Sequence, residues 1–476
     1  MTSCNWFKSL VGTYARVGAR GRITALLAVV AGTAALAVVA VAVLVPFRGI
    51  ARAVIPISVV RIAVNGDTAP GTGDGTFGRR CNEGETFDEP MVNNSGDVVF
   101  HGCFENGSVP DGFGVFLKRN GQLLELIART DEFISGVGTL GPDADSFDGP
   151  KINNKGTVLF VVREISGPAA AAVLQKKIGS PLAAILKEGD PVPGLSGFSF
   201  WSFDDMDQNN KDDVAVIATY TDDGGATLHA GVFLIQNDGK VVPILLDGAA
   251  LPSIGGGNAN TKRLDDIDGP WLNDSRIVVF AIDSISGGSC PSSDHPDCHG
   301  SVFARRPGKP IEIFVKAGEL LPASFGGGRV EGVGLSRPAF NNSNTLGFNV
   351  SRGDGFTPET FLVTKKLGGT ISNCRADLTP APRTTGMFDG FSAPTMNNRG
   401  YLQFSADVSG NAVNNRGIFV CKGGGAKAVV LRGDPKPGGG TWSFELEEGS
   451  ISDNFVVFLD EEGSPTGVFR ATIPTW

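Results

Sequence analysis

Histidine is scarce: His101, His229, His295 and His299 are the only four in 476 residues. There is no His-Glu-x-x-His helix, no Gly-x-Ser-x-Gly elbow and no phosphate loop. The chain therefore carries none of the common signatures of zinc hydrolysis, serine acyl transfer or nucleotide chemistry. Acidic residues are absent from positions 1–56, so all 50 of them fall in 57–476 against 35 of the 41 basic residues. A globular part with that excess of acid repels phosphate backbones, which excludes nucleic acid as an expected partner. Runs of Lys or Glu are few, whereas Gly (66) and Pro (28) are plentiful. That balance favours many turns and short strands over helices.

The acid-free N-terminus holds six basic residues, Lys8, Arg16, Arg20, Arg22, Arg48 and Arg52, around an uncharged Ala-, Val- and Leu-rich run from Ala25 to Phe47. As a helix this run is about 34 Å long, enough for a hydrocarbon core of roughly 30 Å. Four basic residues precede it, which predicts a cytoplasmic N-terminus and export of the remainder. The expected organisation is a basic tail (1–22), a transmembrane anchor (23–47), a linker (48–56) and a repeat domain (57–476). A cleaved signal peptide is the rival reading, with Ala51-Arg52-Ala53 as its small-x-small site. Cysteine usage agrees with export. Cys4 precedes the apolar run, and six others form three neighbourhoods that predict disulfides: Cys81 with Cys103, Cys290 with Cys298, and Cys374 with Cys421.

One phrase recurs roughly every 60 residues through the repeat domain. It reads Asn-Asn-x-Gly followed by an apolar run to Phe. Its copies are Asn93–Phe100, Asn153–Phe160, Asn209–Val216, Asn273–Phe280, Asn341–Phe348, Asn397–Phe404 and a shortened Ser452–Phe458. Downstream of most copies stands Gly-φ-Phe, φ being apolar, as in Gly114–Phe116, Gly231–Phe233 and Gly417–Phe419. A second apolar stretch then ends at Gly-Asp or a relative. We read four strands per repeat, with the Asn phrase as the turn between the first two. Runs such as Val158–Val162 are apolar at every position, which requires both sheet faces to be covered, as blades of a propeller cover one another. The domain begins with an unaccompanied fourth strand (Ile57–Val64) and ends with an unfollowed third strand (Gly467–Thr472). Complementary ends close a ring. The expectation is an all-β, seven-bladed β-propeller of four-stranded blades with N-/C-terminal strand closure, preceded by one N-terminal transmembrane helix.

The phrase resembles the bacterial tandem repeats named for their NxxGxxAF motif, whose proteins differ in their choice of membrane anchor. Asp212, Arg276 and Asn344 depart from it where Gly is expected. The resemblance implies a surface-anchored repeat protein and brings no assigned activity.

Five residues before each phrase stands a carboxylate in five copies: Asp88, Asp148, Asp204, Asp268 and Glu447, with Ser336 and Ser392 in the others. On innermost strands these would ring the axis or the groove between blades, as a cation or basic-ligand site. The structural alternative is one backbone-bonding carboxylate per blade. Asp205, Asp207, Asn209 and Asp213 resemble the calcium loop of FG-GAP propeller repeats, but also form a worn copy of the Asn phrase. Cys290, His295, Cys298 and His299 are potential zinc ligands in no familiar spacing, and no cofactor is expected. The long connections, from strand two to three and from four to the next strand one, lie on one face. The functional expectation is a binding or adhesion module using that face, with a polysaccharide or envelope protein as ligand. A carbohydrate hydrolase or lyase with axial carboxylates, and a purely structural envelope protein, are the alternatives.

Overall fold

Each Asn phrase closes a hairpin between an innermost strand and the strand that follows it. In the third blade the strands are Ser199–Gln208, Val214–Thr221, His229–Ile235 and Val241–Leu245, paired antiparallel in chain order. Seven such sheets make a seven-bladed propeller within the compact unit Pro56–Trp476. This computed structural model describes residues 57–78, 86–142, 147–222, 224–252, 258–259, 261, 267–282, 285–286, 301–316, 318–322, 325, 327–334, 339–352, 359–410, 413–461 and 466–474. The expected anchor at 23–47 lies outside them; among the described residues no helix is long and apolar enough to cross a membrane.

The ring closes as the sequence predicts. Val59–Val64 pairs antiparallel with Gly467–Thr472 and supplies the outermost strand of the seventh blade. Second strands are buried on both faces, as in Val214–Thr221, where all eight residues are buried. The apolar clusters run from blade to blade, so the core is a set of interblade layers around the axis.

The two recurring phrases meet in register. Phe at the end of the Asn phrase faces Phe of Gly-φ-Phe in Phe100↔Phe116, Phe280↔Phe303, Phe404↔Phe419 and Phe458↔Phe469. Their rings stack with centroids 5.7–6.2 Å apart. Beside this pair, the third and fourth strands slip register by a bulge in every blade, for example between Val232 and Phe233. A bulge increases local twist, which suits strands that must splay outward from an axis. It also explains the glycine. A Cβ on Gly231 would lie 2.6 Å from the Leu245 carbonyl oxygen, and one on Gly417 2.6 Å from that of Val430.

Gly231→Val should therefore cost about 1–3 kcal/mol, read as a lower denaturation midpoint at unchanged slope. Gly231→Ala should cost less, because the second blade seats Ala172 at the corresponding place.

Candidate functional site: the asparagine ring and the axial cavity

The first Asn of each phrase performs two tasks. In the first five copies its Oδ1 accepts backbone N–H groups two and four residues ahead, as Asn93 does from Ser95 and Asp97, both at 3.0 Å, while Asn397 Oδ1 accepts from Tyr401 N–H, four ahead. Its Nδ2 crosses to the next blade. Asn93 donates to the Asn153 carbonyl (3.1 Å), Asn153 to Asn209 (3.0 Å), and Asn209 to Asn273 (3.1 Å). Asn273 donates to Asn341 (3.4 Å), Asn341 to Asn397 (3.1 Å), and Asn397 to Ser452 (2.9 Å). Ser452 caps its own turn by accepting from Phe455 N–H at 3.1 Å but has no amide to donate. Asn454 Nδ2 makes the last step instead, donating to the Asn94 carbonyl at 3.0 Å.

The second residue of each phrase builds a parallel ring. Backbone N–H of Asn94 donates to Asn154 Oδ1, Asn154 to Asn210, Asn210 to Asp274, Asp274 to Asn342 and Asn342 to Asn398, at 2.7–3.0 Å. Arg399 N–H reaches Asp453 Oδ1 at 3.2 Å, and Asp453 N–H returns to Asn94 Oδ1 at 2.7 Å.

The fourth position is left-handed whether or not it is glycine. Gly96, Gly156 and Gly400 have φ of 75–82°, and Asp212, Arg276 and Asn344 have φ of 59–65°. The three substitutions each bond across a blade junction. Asp212 accepts from Asn153 Nδ2, Thr157 Oγ1 and Lys155 Nζ. Asn344 Oδ1 accepts from Asn273 Nδ2 at 2.7 Å. Arg276 forks onto Asp213 through Nε at 2.9 Å and Nη2 at 2.8 Å. Burial would raise the Asp213 carboxyl, but bonds from Arg276, then Asn209 and Asn237 N–H, outweigh it and hold it below the usual range. Asp212 is likewise held low, its burial outweighed by Lys155, Asn153 and Thr157.

Inside the rings lies an axial cavity of about 110 Å³. It is lined by ring residues and by one or both of the two positions before each phrase, including Met91, Lys151, Asp207, Gln208 and Ser450. Lys151 and Asp207 are almost wholly buried. Burial pushes the Asp207 carboxyl up to about 7, against the opposing pull of Leu272 N–H, the nearby Lys151 ammonium and Gln208 N–H. Leu272 N–H donates to Asp207 Oδ2 at 2.8 Å across the junction of blades three and four. Ser450 Oγ does the same for Val92 N–H at 2.8 Å, between blades seven and one. Pockets for organic ligands are usually 300–1,000 Å³, so this cavity suits a few waters or a small ion rather than a sugar.

The carboxylates marked out by their offset from the phrase stand elsewhere. Asp88, Asp268 and Glu447 are exposed, and Asp88 Oδ1 accepts Glu89 N–H at 2.7 Å. Asp204 lies in the groove between blades, 2.6 Å from Arg163 Nη2. The Asp148 backbone pairs with Val161, and its side chain is outside the described residues, as is Ser336. None of Asp88, Asp204, Asp268 and Glu447 lines the axial cavity. Three of the four calcium-loop residues are spread over separate tasks: Asp207 faces the cavity, Asn209 bridges blades and Asp213 is held by Arg276. Among the described residues no group of three His, Cys, Asp or Glu side chains is placed to hold a metal ion. Cys374 and Cys421 form a disulfide between the fifth and sixth blades, and Cys103 is disulfide-bonded. Cys81, Cys290, His295, Cys298 and His299 lie outside the described residues. The Lys151–Asp207 pair escaped the sequence reading. Its only trace is a charged residue two before the phrase, where other copies carry Met91, Trp271, Ala339, Thr395 or Ser450.

Asn153→Ala removes two cross-blade donations and one turn cap, and should lower stability by roughly 2–4 kcal/mol in denaturant titrations. Asp207 predicts a pH effect. Its carboxyl is raised in the folded state, so its contribution is fully present below its unfolded value near 3.8 and is lost as pH rises through about 7. Wild-type stability should decline from pH 5 to pH 8, and Asp207→Asn should flatten that leg. The slope is the readout, since the variant also changes the surroundings of Lys151.

Three solved structures resemble this fold at low identity. Pyrococcus horikoshii acylaminoacyl peptidase has a TM-score of 0.44 and 8% identity over 79% of this chain. The chain spans only 49% of that protein. The GH93 α-L-arabinofuranosidase of Fusarium graminearum has a TM-score of 0.31 and 13% identity, over 87% of this chain and 98% of that one. Regucalcin, a calcium-binding protein from Agrobacterium tumefaciens, has a TM-score of 0.28 and 7% identity, over 74% of this chain and 88% of that one. At these scores the likenesses carry no argument about activity. No curated protein matches the sequence. The profile of a family described as "Family of unknown function (DUF7453)" matches residues 30–281 and 257–455, and the chain belongs to that family.

Proposed function

We propose that this protein is a membrane-anchored, extracytoplasmic propeller that binds an envelope component, a polysaccharide or another protein, through its long-loop face. The observation that carries this reading is the placement of exposed apolar side chains. Ten large apolar residues are exposed among the described residues. Phe133, Trp201, Leu320, Leu378, Met387, Val413 and Phe444 stand at the ends of strands or in connections on the long-loop face. Leu123 and Ile178 stand on the opposite face, and Val60 is on the outermost strand closing the seventh blade. Exposed apolar and aromatic groups on loops held by a rigid scaffold are where recognition usually sits. On the opposite face the polar groups of the Asn turns are engaged in holding blades together.

The anchoring half of the reading rests on the apolar run 23–47, the basic residues before it and the resemblance to choice-of-anchor repeat proteins. The catalytic alternative gains no support from the geometry, since Asp204 is ion-paired and the exposed carboxylates lie away from the axial cavity.

The test is capture of cell-wall polysaccharide and envelope proteins by the full-length chain in detergent. Trp201→Ala combined with Phe133→Ser should reduce capture at unchanged melting temperature, whereas Ile178→Ser on the other face should leave it intact. Capture insensitive to the first pair would argue for a purely structural role.

A further inference from the structure

One stretch of the long-loop face has the chemistry of a specific subsite. Between the sixth and seventh blades lies a cleft of about 550 Å³, within the range of small-ligand pockets. Arg432, Thr441, Phe444 and Val413 are among its lining residues. Phe444 is 41% exposed and Val413 67%. The Arg432 guanidinium lies 5.2 Å from the Phe444 ring centroid, and that of Arg416 lies 5.5 Å from it.

The frame around these side chains is fixed. Arg432 N–H donates to the Arg416 carbonyl at 2.9 Å, and Arg432 Nη1 to Asn415 Oδ1 at 2.9 Å. The loop from Gly433 to Trp442 is closed at both ends, by Gly433 N–H to the Trp442 carbonyl and Trp442 N–H to the Asp434 carbonyl. Lys436 within it forms a wholly buried ion pair with Asp460, at 2.8 Å.

Charge then selects the ligand. The protein is acidic overall, with a net charge of −9, yet this cleft presents arginine. The nearby acids are only partly available to oppose it. Asp434 is taken by Arg383 at 2.8 Å, and Asp407 approaches Arg416 only to 3.6 Å. Arg432 pairs with no carboxylate among the described residues, and Arg416 Nε is buried without an acceptor there. Arginine forks match carboxylates in shape and charge, and the negative face of an aromatic ring attracts the C–H side of a sugar.

We infer that this cleft binds a carboxylate-bearing sugar residue of an acidic polysaccharide, with Arg432 on the carboxylate and Phe444 against the ring. Arg416 positions Phe444 and adds positive potential. The inference rests on the binding-face reading above and narrows it to one ligand class and one place.

The experiment compares three probes on the full-length protein in detergent: an oligogalacturonate, a neutral galactan oligomer of equal length, and polyglutamate. Oligogalacturonate should bind at least about tenfold more tightly than either other probe. Arg432→Gln and Phe444→Ala should each weaken it by about tenfold or more, the scale of losing a charge-assisted hydrogen bond. Arg432→Lys should weaken it too, because it keeps charge but loses the fork. Both positions reach the surface, and unchanged melting temperatures of the three variants will confirm intact folding. Equal binding of galactan, equal binding of polyglutamate, or insensitivity to Arg432→Gln and Phe444→Ala would overturn the inference. So would failure of all three probes; a positive envelope capture alongside that failure would leave the broader binding reading standing.

Discussion

The junctions between blades depend on a primary amide that accepts on its own side and donates to the other. Asn is suited to this because its side chain carries both a carbonyl oxygen and an N–H₂ group. An Asp at the first position could cap the turn but would present only acceptors to the neighbouring carbonyl. A Ser can also cap, and Ser452 does, but it is too short to bridge. The seventh unit then recruits Asn454 for the crossing. In six hairpins the first-position side chain serves the carbonyl of the blade after it, and in the seventh Asn454 serves Asn94, so one residue type links each blade to the next. The polar groups are buried or half-buried there, where leaving one unsatisfied costs about 1–3 kcal/mol. This makes the closed ring the arrangement in which they are satisfied together.

The same constraint accounts for the imperfect repeats. A left-handed residue other than Gly carries strain of roughly 1–3 kcal/mol. Asp212, Arg276 and Asn344 accept that strain at consecutive junctions of the third, fourth and fifth blades, and each recovers free energy through bonds to the preceding blade that Gly could not make. The Arg276 fork on buried Asp213 is the strongest kind, being charge-assisted and bidentate. What reads along the chain as erosion of a motif is a change in how a junction is held.

Much of the architecture is legible in the sequence, because it is periodic. The Asn phrase, the Gly-φ-Phe phrase and the complementary termini specify strand order, blade number and seam. Their physical link was less legible. Phe100 and Phe116 are sixteen residues apart in the chain, and only the register of two strands makes them a stacked pair. The carboxylates at a fixed offset looked like a ring, yet the offset places them near the start of each innermost strand, far along it from the Asn turns. The charged residues that do face the axis, Lys151 and Asp207, break the repeat instead of following it, so periodicity had no means of revealing them. The arginine–phenylalanine cleft was hidden for a related reason. Arg416 opens the third strand of the sixth blade, while Arg432 and Phe444 stand at opposite ends of the connection to the seventh, and nothing in their spacing joins them.

The two faces divide the work in a way that follows from the hydrogen-bond count. On the Asn-turn face, the polar side chains of the turns are already bonded across junctions, so recruiting one to binding would weaken the ring. On the long-loop face the blades are held by the apolar layers beneath and by ion pairs such as Arg163–Asp204 and Arg383–Asp434, and the exposed side chains of Trp201, Val413 and Phe444 stand outside those apolar layers. Substitutions at these exposed positions should cost little stability, as surface positions away from caps and cores generally do. The third and fourth strands stay locked by Gly231-type contacts and Phe pairs whatever the loops carry. Exposed side chains that stand outside the interblade layers can vary without loosening the ring, and in this chain the long-loop face is the one bearing exposed aromatic groups and the Arg432 guanidinium.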